Sequence, residues 1–110
     1  MIDYADFLKV EMHVGTIIEV ADFPEARKAA YKLQIDFGEI LGVKKSSAQI
    51  TDYYTKAELL HRQIIAVTNF PPKQIANTIS EVLVLGSVEK DGKVVLLQPE
   101  RDTPNGSKIS

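Results

Sequence analysis

Asn69-Phe70-Pro71-Pro72-Lys73-Gln74-Ile75-Ala76, continuing into Ser80-Glu81-Val82-Leu83-Val84-Leu85-Gly86, decides how the rest of the chain is read. The stretch leaves one apolar strand, Ile64 to Val67, and enters another. Two prolines in series fix φ twice and remove two backbone donors, so the strand ladder must stop there. The expectation is a tight corner with polar edges and one exposed aromatic, Phe70.

Outward from that corner the chain reads as short strands. Tyr31, Leu33, Ile35 and Phe37 alternate with Lys32, Gln34 and Asp36, the period of a half-buried strand. Val14 to Val20 is an earlier strand, and Gly15 within it marks a bend or a close backbone approach. Gly38 to Gly42 reads as a turn and Val43 to Gln49 as a third, more polar strand. Ile64 to Thr68, Val82 to Leu85 and Val94 to Leu97 follow, the last two joined across Lys90-Asp91-Gly92-Lys93, which contains the favoured Asp-Gly turn pair.

Two helices are expected. Asp3 can cap a short one reaching Val10, with Asp6 in the first turn and Tyr4, Phe7 and Leu8 on one face. The other spans Tyr53 to Leu60, with Thr55 as cap and Glu58 in the capping-box position. Five strand regions with a helix between the third and fourth match the order of an all-β OB-fold barrel.

A chain of 110 residues makes one domain with a modest core. No cysteine is present, which excludes disulfides, thiolate metal sites and cysteine catalysis. The first residues, Met1-Ile2-Asp3-Tyr4-Ala5-Asp6, contain no apolar signal core, and no apolar run approaches the roughly 18–20 residues of a membrane span. A cytoplasmic protein without membrane insertion is expected. Thirteen basic residues face 15 acidic ones, a net charge of −2, so any nucleic-acid contact must rest on a local basic patch.

Catalytic signatures are missing. His13 and His61 have no second histidine or carboxylate at metal-ligand spacing, and no metal or other cofactor is expected. Ser46 or Ser47 with His61 and Asp52 lacks a nucleophile elbow, and neither a Walker loop nor a dinucleotide fingerprint occurs. The chain reads as a binding protein and not an enzyme.

Lys44, Lys45, Ser46, Ser47 and Gln49 put hydrogen-bond donors on both faces of one strand. Arg27, Lys28 and Lys32 lie just before it and Lys73 on the proline corner. In an OB-fold the second and third strands form the usual binding face, and such groups suit phosphates and base edges. Phe23 and Phe70 each precede proline where a strand ends. Such residues plug a barrel end, line an apolar pocket, or stack a base for roughly 1–3 kcal/mol. Sequence leaves these three uses open.

Phe23-Pro24-Glu25-Ala26-Arg27, Lys32 to Gly38, Ser46-Ser47-Ala48-Gln49-Ile50 and the proline corner with Ser80 to Gly86 together resemble the CsaA family, nearly end to end. That resemblance implies an OB-fold homodimer with chaperone-like activity toward proteins destined for export, associated with the secretion motor SecA. CsaA proteins are similar to the tRNA-binding domain appended to aminoacyl-tRNA synthetases. Those domains carry Asn-Leu-Lys-Pro where this chain has Asn69-Phe70-Pro71-Pro72, and Ser-x-Gly-Met where it has Ser80-Glu81-Val82-Leu83. In the third strand their Val-Ser-Gly-Ile becomes Ser47-Ala48-Gln49-Ile50.

Two binding readings result. For an unfolded peptide, apolar pockets near Phe23, Phe70 and Ile75 would hold side chains while Ser46, Ser47, Gln49, Asn69 and Glu81 bond its backbone. For tRNA, the contacts would be Arg27, Lys28, Lys44, Lys45, Asn69, Lys73 and Ser80. The late strands are apolar at consecutive positions, so Ile65, Val67 and one set from each of 82–85 and 94–97 should face outward. A symmetric dimer covering about 800 Å² per subunit would bury them.

Overall fold

The computed structural model describes residues 1–110. Helix α1 (Tyr4–Leu8) opens the chain, with Asp3 and Asp6 completing a reciprocal capping box. Strands β1 (Met12–Asp22) and β2 (Tyr31–Asp36) pair antiparallel, with Ile17 opposite Ile35 and Ala21 opposite Lys32. After the short helix α2 (Gly38–Leu41), β3 (Val43–Ala48) pairs with β2, Ser46 opposite Leu33 and Ser47 opposite Lys32. Directly opposed residues share a face. Leu33, Ile35, Ser46 and Ala48 therefore turn into the barrel, while Lys32, Gln34, Lys45 and Ser47 turn out.

Helix α3 (Lys56–Leu59) leads to β4 (Gln63–Val67), which pairs with the first half of β1. Strands β5 (Lys73–Ile75) and β6 (Thr78–Ser80) form a separate two-stranded ribbon. Strand β7 (Leu83–Val84) returns to β4, and β8 (Gly86–Val88) pairs with β9 (Val94–Leu96) in a second ribbon. The main sheet runs β3-β2-β1-β4-β7, the nearly closed five-stranded antiparallel barrel expected of an OB-fold. A register shift between Ile17 and Glu19 bends β1 so that it serves both halves. No helix is long and apolar enough to cross a membrane.

Ile17, Leu33, Ile35, Phe37, Leu59 and Ile64 fill the core and are essentially inaccessible. Gly15 lets Phe37 in: a Cβ there would lie 2.6 Å from Ile35 Cγ2 and 2.7 Å from Phe37 Cε1. Tyr54 fastens the far end, its hydroxyl accepting the Leu96 N–H at 3.0 Å while its carbonyl accepts the Tyr31 hydroxyl at 2.8 Å.

Several sequence expectations need correction. Gly38 to Gly42 is not a plain turn but contains the helix α2, closed by Gly42 at φ +75°. The second expected helix shrinks to Lys56–Leu59, because Thr55 caps it and accepts the Glu58 N–H at 3.2 Å, leaving Tyr53 and Tyr54 outside. Val67 does not face outward. It is 4% exposed, at the end of a strand flanked on both sides by Met12 of β1 and Leu83 of β7. The proline corner does not lead straight into the strand at Val82, since the ribbon β5–β6 intervenes.

The C-terminal segment also takes a place that the sequence did not announce. Gly106 N–H donates to the Val14 carbonyl at 2.8 Å, Val14 N–H to Ser107 O at 2.9 Å and Ile109 N–H to Met12 O at 2.9 Å. The tail thus supplies the partner for the stretch of β1 that β2 leaves uncovered. Thr16 Oγ1 donates to Asn105 Oδ1 at 2.7 Å and Gln63 Nε2 to Thr103 O at 2.7 Å, which fixes the register.

Candidate functional site: a groove between the third strand and the proline corner

The edge of β3 away from β2 is closed by Ser80-Glu81-Val82. Lys45 N–H donates to Glu81 Oε1 at 3.0 Å, Glu81 N–H to Lys45 O at 2.8 Å, and Ser47 N–H to Ser80 Oγ at 3.1 Å. The hydroxyls of Ser46 and Ser80 both donate to the Val82 carbonyl, at 3.1 and 3.3 Å. Buried donors and acceptors must be paired, so these bonds hold the barrel shut. They also leave the outward side chains of β3 facing the ribbon β5–β6.

Between them lies a groove with two adjoining hollows of about 290 Å³ each. The first is walled by Phe70, Pro71, Ile75, Val82 and Leu83, with Lys73 and Glu81 at its margin. Phe70 and Leu83 are each 49% exposed. The second holds Arg27, Lys28 and Gln49 with Ala26 and Ala30. Ser47 and Ile75 line both, so the two hollows adjoin. The ribbon tip is tied across to the loop after β1, where Asn77 Nδ2 donates to Glu25 Oε2 at 3.3 Å.

On the other side of β3 a polar hollow of about 220 Å³ crosses the outer barrel face, bounded by Glu19, Lys32, Gln34, Lys45 and Thr78. Lys32 Nζ sits 5.5 Å above the Phe23 ring, within cation–π range.

The groove gathers Ser47, Gln49, Phe70, Ile75 and Glu81 of the expected peptide contacts, and Arg27, Lys28, Lys73 and Ser80 of the expected RNA contacts. Lys45 faces the adjoining outer hollow, and Lys44 pairs with Ile35 toward the barrel end. Three residues stand apart. Phe23 is only 4% exposed, its ring covered by Lys32, so the pocket near it is not open. Ser46 is buried, with its hydroxyl committed to Val82. Asn69 is a clamp: its Oδ1 accepts the Glu11 N–H at 3.0 Å and its Nδ2 donates to Lys9 O at 2.8 Å. Pro71, Val82 and Leu83 form walls not assigned to the site from sequence, and only the fold of the ribbon brings them opposite Ile75.

The remaining polar residues are structural. His13 is buried with Nδ1 2.8 Å from Thr68 Oγ1, and His61 holds φ +71° at the end of α3, where its N–H donates to Ile17 O at 2.8 Å. No group of three or more histidine, cysteine or acidic side chains is placed to hold a metal ion. Tyr53 bonds the Glu89 carboxylate, which pushes its phenol up to about 12.

A barrel closed in this way, with its open groove beside the third strand, defines the class. Residues 12–108 match the family described as putative tRNA binding domain. The chain belongs to that family and, within it, to the CsaA proteins. The crystal structure of the CsaA chaperone protein from Picrophilus torridus is 61% identical, each chain covered in full, with a TM-score of 0.93. That of chaperone CsaA from Bacillus anthracis str. Ames is 54% identical over 100% of this chain and 99% of that one, with a TM-score of 0.95. Methionine--tRNA ligase of Nanoarchaeum equitans is 36% identical over 110 residues, 99% of this chain but 14% of the ligase. The chain thus spans only a small part of that relative.

Proposed function

We propose that this chain is a chaperone-like binding protein that holds unfolded segments of proteins destined for export, in the cytoplasm and as a homodimer. The observation that carries this reading is the open apolar hollow of Phe70, Pro71, Ile75, Val82 and Leu83. Pro71 and Val82 stand where the related tRNA-binding pattern has lysine and glycine. At Pro71 the change replaces a charge with exposed apolar surface, which suits a side chain better than a phosphate, while Val82 lies buried in the core at the pocket floor. Ser47, Gln49 and Glu81 lie alongside to bond a client's backbone. The 54–61% identity to proteins named as CsaA chaperones supports the same reading, and SecA as an export partner is carried over from the sequence resemblance alone. Binding needs no cofactor and involves no bond-breaking step. Suppression of aggregation of a chemically denatured client, at one chaperone dimer per client, tests it.

The dimer draws on exposed apolar residues that the subunit leaves uncovered. Ile40 is 99% exposed on α2, beside a hollow of about 480 Å³, and Val88, Val95 and Leu97 are open on and beside the late strands. Sedimentation equilibrium at micromolar concentration should return about twice the 12.2 kDa chain mass.

A second reading, binding of tRNA, is favoured by the family match and by the exposed Arg27, Lys28, Lys45 and Lys73 around the groove. It requires affinity that falls steeply with salt as phosphate contacts release counterions. A gel shift at low and physiological salt, with Lys45→Ala as the variant, decides it.

A further inference from the structure

The groove is chemically two-ended. Around Phe70, Pro71, Ile75 and Leu83 it is apolar, and around Arg27 and Lys28 it is cationic. Ser47 and Ile75 stand at the junction of the two ends. Arg27 and Lys28 are exposed, and neither takes part in the chain's ion pairs, which involve Lys9, Lys56, Lys93 and Arg101. The hollow that Arg27 and Lys28 line has no carboxylate in its wall; Glu25, bonded to Asn77, and Glu81, bonded to the Lys45 N–H, lie outside it and keep their charge. Two cations that form no ion pair therefore line the hollow beside the apolar one.

We propose that the groove selects extended peptide segments in which an apolar side chain is followed or preceded, within a few residues, by a carboxylate. This rests on the peptide reading above and adds a preference to it. The apolar side chain enters between Phe70, Ile75 and Leu83, and the peptide crosses the Ser47–Ile75 saddle. Its carboxylate then meets Arg27 and Lys28. Ser47 of β3 and Gln49 just past its end line the junction and the cationic hollow, so spacings of a few residues in an extended client are the ones to test. A nucleic acid would use the cations for its phosphates and could stack a base on Phe70, so the tRNA arm of the test below separates the two occupants.

The test uses fluorescently labelled peptides of serine and glycine carrying one leucine and one aspartate, two, three or four residues apart, with asparagine replacing aspartate as control. Anisotropy titration of the full chain should give about three- to tenfold tighter binding for the best aspartate peptide, as expected for one exposed carboxylate facing two cations. The preference should shrink in 0.5 M salt. The double variant Arg27→Ala/Lys28→Ala should bind both peptides like the wild type binds the asparagine one. Arg27→Glu/Lys28→Glu should instead prefer a lysine peptide.

Equal binding of aspartate and asparagine peptides, both weakened by Phe70→Ala, overturns the preference while leaving the apolar pocket standing. Binding of no peptide, in a protein that still fails to respond to Phe70→Ala in client holding, removes the peptide reading itself. Loss of tRNA binding in the double alanine variant, with no change in the aspartate preference, assigns the cations to nucleic acid and also overturns the proposal.

Discussion

The hydroxyl of Ser80 lies 3.1 Å from the backbone nitrogen of Ser47 and accepts its N–H, although 33 residues separate them. One side-chain oxygen thus does what a neighbouring strand would do. It sets the distance between β3 and the segment that walls the groove, and it leaves the Ser47 side chain facing outward.

Ser80→Ala should destabilise the chain by about 1–2 kcal/mol, because the part-buried Ser47 N–H loses its partner. Urea unfolding should show a lower midpoint with an unchanged slope. An unchanged midpoint would mean that the barrel is held closed by other contacts.

Gly15→Ala should cost about 1–3 kcal/mol through overpacking against Ile35 and Phe37, both fully buried. The check is thermal unfolding by circular dichroism. Ala76→Gly should act in the opposite direction, stabilising by up to about 1 kcal/mol, since Ala76 sits at φ +49° in the ribbon turn. Loss of stability in Ala76→Gly would contradict a strained turn.

Asn69→Ala removes the two bonds that hold Lys9 and Glu11. Amide exchange of Glu11 should quicken, while peptide binding in the groove should be retained. A variant with normal exchange but failed binding would return Asn69 to the site.

Acid should loosen the start of α3. Thr55 N–H donates to Glu58 Oε1 at 2.9 Å, and this bond with the Thr55 hydroxyl holds the Glu58 carboxyl below the usual glutamate range. A depressed folded-state value means that the carboxylate stabilises the native state above the ordinary glutamate pKa. That contribution fades as pH falls through the folded value. Glu58→Gln should therefore flatten the acid limb of the stability profile, measured by urea midpoint from pH 7 downward. An identical acid limb in both proteins would contradict the capping box.

Much of the fold was legible because its signals are local. The alternation from Tyr31 to Phe37 places β2, and Thr55 with Glu58 marks where α3 begins. The ribbon at 73–80 was missed although Gln74, Ile75, Thr78 and Ile79 fit a hairpin. Its turn, Ala76-Asn77, lacks the glycine that usually announces φ > 0. The tail against β1 was invisible for another reason: backbone pairing between Val14 and Gly106 leaves no pattern in side chains. In the site, Phe70 and Ile75 follow from apolar residues beside a corner. Ser46 and Asn69 look like free donors in the sequence because their partners lie 36 and up to 60 residues away.

The central claim is that an apolar groove at Phe70 captures unfolded protein. The most direct measurement is the affinity of wild type and Phe70→Ala for a permanently unfolded client, with both proteins first matched for folding by circular dichroism. Phe70 is about half exposed, so a client covering it buries roughly half a phenylalanine, about 1 kcal/mol or a fivefold change in Kd. The account predicts at least that fivefold weakening for Phe70→Ala, with tRNA binding unchanged between the two proteins. Equal client affinity in a normally folded Phe70→Ala protein would contradict it.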